Sequence, residues 1–96
     1  MGIKRRVVIM TQGETIDTGL SSAGIFVFMA NGSASCSVVA IRNTLMSVLV
    51  EGAEFKTTDD ATVYKIISNG NKVFIKVTAD TSSFDWKAEI VQIVAR

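Results

Sequence analysis

Ninety-six residues make one domain's worth of chain, small enough that its core is modest. With 20% charged residues and a net charge of +1, no whole-molecule field exists to attract nucleic acid or insert the chain at an anionic membrane. There is no His to serve as general base or metal ligand, and the single Cys, Cys36, excludes an intrachain disulfide and a CxxC metal knuckle.

The hydrophobic share is 48%, and seven Gly carry the apolar total above the usual range for soluble domains. A domain this small has too little interior for that content. The excess predicts a surface covered by copies of the chain or by a partner.

In chain order, Met1-Gly2 reads as a loose end, followed by a first strand over Ile3–Met10. Val7, Val8, Ile9 and Met10 run continuously, which predicts cover on both faces. The apolar run is too short for a signal-peptide core, and Arg6 argues against N-myristoylation. Thr11-Gln12-Gly13 is a turn, and Glu14–Asp17 is a short edge strand broken by Asp17-Thr18-Gly19 and Ser21-Ser22. Ala23–Ala30 is the most apolar strand, with Ile25, Val27 and Met29 on one face and Phe26 and Phe28 on the other. Such a strand is central, or presents one face to a partner. At eight residues it is far short of the ~20 needed to cross a bilayer as a helix.

Asn31-Gly32-Ser33 turns the chain into a returning strand, Ser35–Arg42, in which Cys36 reads as a small buried hydrophobe. After a break at Asn43, Thr44–Glu51 is read as a strand. A helix is the competitor there, but Val48 and Val50 are stiff and no cap precedes them. Gly52-Ala53 turns, Glu54–Thr58 is a short strand with Phe55 inward, and Asp59-Asp60 opens another turn. The strongest local signal is Thr62–Asp80, two β-branched and aromatic runs flanking Ser68-Asn69-Gly70-Asn71. Asn-Gly supplies the positive φ that tight hairpins need. Asp80–Asp85 is a polar loop anchored by Phe84. In Trp86–Val94 the alternation slips at Ile90-Val91, as a bulged strand would produce. A helix capped by Ser83 is the alternative.

No catalytic or metal constellation emerges. The carboxylates Glu14, Asp17, Glu51, Glu54, Asp59, Asp60, Asp80, Asp85 and Glu89 fall at turns or on solvent faces, not as a facing pair in a cleft. Asp59-Asp60 with Asp80 or Asp85 falls short of the oxygens calcium wants, and no phosphate loop is present. No cofactor is expected. The candidate ligand or interface residues are aromatic: Tyr64 and Trp86, with Asp85 and Lys87 beside the Trp, and Phe26 and Phe28. The one basic cluster, Lys4-Arg5-Arg6, is a candidate docking arm and too small for a nucleic-acid footprint.

The order of a GIFVF strand, an Asn/Gly/Ser turn, CSVVAIR, a short Phe55-x-Thr57-Thr58 strand, the Asn-Gly hairpin and a closing AEIVQIV strand resembles the compact β-sandwich modules of bacteriophage structural proteins. Those modules are found on fibres, tail appendages and heads. The resemblance covers about residues 20–96 and leaves residues 1–19 as an N-terminal arm with the first strands. It implies a non-enzymatic virion protein that self-assembles, as a trimer by preference, contacts other virion proteins, and decorates the particle or presents a surface to host glycans. The rival expectation is a cellular carbohydrate-binding β-sandwich. Both share one fold class: all-β, a compact antiparallel sandwich, jelly-roll-like, of about seven to nine short strands.

Overall fold

A computed structural model describes residues 2–94, and Met1 lies outside them. The described residues form nine strands and no helix: β1 (Gly2–Ile9), β2 (Thr15–Ser21), β3 (Ala23–Ala30), β4 (Ser37–Arg42), β5 (Leu45–Val50), β6 (Phe55–Lys56), β7 (Tyr64–Asn69), β8 (Lys72–Val77) and β9 (Lys87–Val94). They build two packed sheets, a five-stranded one in the order β1-β9-β3-β4-β5 and a four-stranded one in the order β2-β8-β7-β6. Pairing is antiparallel throughout except between β6 and β7, a two-residue parallel contact.

The core lies between the sheets and follows the period-2 alternation of the strands. From the five-stranded sheet, Phe26, Phe28, Val39, Ile41, Ala88 and Ile90 point inward. From the other, Leu20, Phe55, Tyr64, Ile66, Val73, Ile75 and Val77 meet them. Phe26 and Phe28 stack at 5.9 Å, Phe28 meets Tyr64 edge-on at 6.2 Å, and Phe55 closes on Tyr64 at 4.7 Å. Aromatic pairs at these separations add to their area burial.

The Asn-Gly hairpin forms with Asn69 opposite Lys72, so its two-residue loop is Gly70-Asn71. Gly70 takes φ 64° and Asn71 stays out of the left-handed region, the sign pattern of a type II′ turn. Both ambiguous segments, β5 and β9, are strands. A helix at either place would leave the backbone hydrogen bonds of its sheet neighbours unmet.

Several expectations are corrected. The first strand is not covered on both faces: β1 is the edge of the five-stranded sheet, with Ile3 and Ile9 largely exposed. Residues 2–19 hold the first strands and are built into the two sheets. Gly2–Ile9 pairs residue for residue with β9, and β2 runs on to Ser21 through a register irregularity between Asp17 and Ser21, with Gly19 at φ 75°. The closing strand carries no bulge, since its registers with β1 and β3 are continuous. The slip at Ile90-Val91 has another cause. The inward position after Ala88 and Ile90 is polar Gln92, while the outward positions Val91 and Ile93 are apolar. Gln92 is buried and donates through Nε2 to the carbonyls of Ser21 (2.9 Å) and Ala23 (2.8 Å), tying β9 to the β2–β3 corner.

Candidate functional site

The four aromatic candidates separate by depth. Phe26, Phe28 and Tyr64 are fully buried, so the structure places them in the core and not on a contact surface. The Tyr64 hydroxyl donates to the Met29 carbonyl at 3.0 Å. Burial first, offset by that bond, pushes its pKa well above the ordinary value. Trp86 is half-buried at one end of the sandwich. Its ring lies over Gly32, where a Cβ would stand 2.6 Å from the indole, and Phe84 meets it edge-on at 5.1 Å. Asn31 fixes this end by donating to the Asp85 carbonyl at 2.9 Å and accepting from the Lys87 N–H at 2.8 Å. The result is a shallow polar cleft bordered by Asn31, Ser83, Phe84, Asp85 and Lys87, in which Phe84 is the exposed ring.

Lys4, Arg5 and Arg6 lie within β1. Arg5 pairs with Glu89 at 3.1 Å across the sheet, and the Arg6 side chain reaches over Gly19 of β2. Cys36 is half-buried in the β3–β4 loop, one residue before the strand. Among the described residues no three His, Cys, Asp or Glu side chains converge as metal ligands. Asp59 is held by Lys65 at 2.9 Å and Asp60 by Lys56 at 2.9 Å, while Asp80 accepts from the Ser82 N–H. The Thr58 hydroxyl first, then Lys56, lowers the Asp60 pKa to about 2. Glu54 is lowered by the hydroxyls of Ser33 and Ser35, which clasp its carboxylate to the β3–β4 loop.

The largest feature was not among the aromatic candidates. It is the outer face of the five-stranded sheet. The registers align Ile3, Ile93, Ile25, Ala40 and Ser47 in one row across all five strands, and Arg5, Val91, Val27, Val38 and Val50 in the next. Eight of these ten are apolar. Exposure confirms that they face outward: Ile3 is 71% exposed, Val50 51% and Ile25 40%. The alternation signals were legible in Ile25, Val27 and Met29 opposite the two Phe, and in the slip to Val91 and Ile93. What no pattern in one strand supplies is the register that lines five strands up.

Spacings of about 4.8 Å between strands and about 3.3 Å per residue give this face a projected area of roughly 500 Å². The two apolar rows take up roughly 300 Å² of it, in the range of the largest apolar patch on a monomer, a feature that is often functional. Two such faces pressed together bury roughly 1,000 Å², the lower bound for a specific interface. Among the described residues no helix is long and apolar enough to cross a membrane. Comparison with protein-family models, curated proteins and solved structures finds no match to this chain.

Proposed function

We propose that the chain is a non-enzymatic structural component of a virus particle, located in the virion. It self-assembles, as a homotrimer on the resemblance to phage fibre and decoration modules, packs against other virion proteins, and decorates the particle or presents a host-binding surface. The observation that carries this reading is the apolar outer face of the five-stranded sheet, whose Ile and Val rows cross every strand. Covering that face is favourable at about 25 cal/mol per Å² of apolar area removed from water. The lack of His and the dispersal of the carboxylates to turns and solvent faces support a structural role over a catalytic one. Size-exclusion chromatography with light scattering over a wide concentration range tests it: a trimer mass is expected, and a stable monomer throughout overturns it.

A cellular carbohydrate-binding module is the second reading. Exposed Phe84 beside Asn31, Ser83 and Asp85 favours it, since sugar faces combine a ring with polar neighbours. Glycan-array binding that disappears in Phe84→Ala and Trp86→Ala, with the fold retained, would establish it.

A further inference from the structure

A sheet edge is a row of unpaired N–H and C=O groups, and proteins blunt such edges with charges, bulges or brevity. Three of the four edges in this sandwich are blunted. β1 sets Lys4 and Arg6 at inward register positions, opposite Gln92 and Ile90, with Arg5 paired to Glu89. Two copies of β1 side by side would set Lys4-Arg5-Arg6 against itself, and like charges directly opposite destabilise a pair. β2 is irregular between Asp17 and Ser21, and β6 is two residues long.

β5 has no comparable guard along its regular part. Leu45–Val50 contains no charge, and it lies at the sheet edge with Leu45 73% and Leu49 58% exposed. Its register with β4 is regular from Leu45 to Val48, and the single irregularity falls at Leu49, beyond that stretch.

We infer that the β5 edge joins a second copy of this chain by antiparallel strand pairing about a two-fold axis at Ser47. The sequence fits its own reverse there. In that register Met46 lies opposite Val48 of the other copy and Ser47 opposite Ser47 within the regular stretch, while Leu45 meets Leu49 at the irregularity. Ser47 lies on the outer side of the sheet and Met46 and Val48 on the inner, so like sides meet across the regular stretch. Glu51 stays outside the paired stretch, so no like charges meet. The two sheets become one, and the exposed leucines cover each other. A contact this short buries less than about 1,000 Å² in total, so it forms and dissociates with concentration. It is made by the backbone edge of β5 and not by the side-chain rows of the outer face, although Ser47 and Val50 also lie in those rows; in a particle it ties neighbouring oligomers together two at a time.

The test is disulfide trapping in a Cys36→Ser background. Ser47→Cys is expected to give a covalent dimer under mild oxidation, at a yield about tenfold above an Ile3→Cys control on the far edge, because pairing holds the two thiols at high effective concentration. Adding Leu49→Lys should abolish the excess. Equal yields from the two positions, or an excess that survives Leu49→Lys, overturn the inference. Hydrogen exchange gives a second readout: β5 amides should slow as concentration rises, and concentration-independent exchange also overturns it. The two proposals fail separately. Ile25→Lys should dissolve a face-packed oligomer and leave Ser47→Cys trapping intact. A face-packed oligomer that persists while trapping fails removes the edge contact only.

Discussion

The five-stranded sheet turns Ile3, Ile93 and Ile25 outward, whereas the four-stranded sheet turns Lys56, Lys65 and Lys76 outward in a single row. Behind the lysines, Asp17, Phe74 and Ile67 form the next row. The lysines are answered by acids from the neighbouring turn and loop: Asp59 for Lys65, Asp60 and Glu51 for Lys56. Lys72 likewise meets Asp17 at 3.4 Å. Water solvates that face adequately, and its ion pairs sit where pairing adds little. Among the described residues the other face has one exposed ion pair, Arg5–Glu89, beside rows of β-branched side chains. One sandwich therefore carries one side suited to water and one side suited to another protein surface. The inward faces are alike, so the difference concerns what each sheet meets outside the molecule and not how the core is built.

The largest predicted break in this contrast is at Gly24, where β3 crosses β9. Gly24 has φ 122°, and a Cβ there would stand 2.2 Å from the Ile93 carbonyl oxygen. Gly24→Ala should cost at least about 3 kcal/mol or prevent folding, read from urea unfolding, because strain and a backbone clash add.

Next comes charge on the apolar face. Ile25→Lys with Ile93→Lys is expected to weaken self-association about 100-fold or more, since a buried unpaired ammonium costs several kcal/mol. Ile67→Lys on the lysine face should leave the light-scattering mass unchanged. Equal effects from both faces would erase the distinction.

Gln92→Ala should follow, at about 2 kcal/mol, because it removes a fully buried side chain together with its hydrogen bonds to the carbonyls of Ser21 and Ala23 where the two sheets meet.

The smallest effect is acid sensitivity. Asp60 and Glu54 both have lowered native pKa values, from Thr58 and Lys56 in one case and from Ser33 and Ser35 in the other. The unfolded chain therefore takes up protons first as pH falls. Their contribution is fully present above the ordinary carboxylate range and is lost as pH drops toward Asp60's value of about 2. The urea midpoint should be level near neutrality and decline below about pH 4.5, with a shallower decline in Glu54→Gln.

Much of the fold was legible because strand chemistry is local. The bounds of β3 at Ala23–Ala30, the hairpin around Gly70 and the inward direction of Phe55 follow from alternation and turn residues. The misreadings share a cause. Val7 to Met10 looked doubly covered because composition does not say whether a strand is central or at an edge. Tyr64, Phe26 and Phe28 looked available because an aromatic ring suits a core and a contact surface equally. The apolar outer face was legible only in fragments. Its rows combine β1, β9, β3, β4 and β5, drawn from both ends and the first half of the chain.

The sequence by itself determined that this chain is all β, where most strands begin and end, and that it holds more apolar surface than one small core can use. Only the tertiary structure decided where that excess lies, because the neighbour order β1-β9-β3-β4-β5 depends on pairings between residues more than eighty apart, such as Ile3 with Ile93. Alternation along a strand sets which side chains share a face. Hydrogen-bonded register between distant strands sets whether those faces add up to a surface.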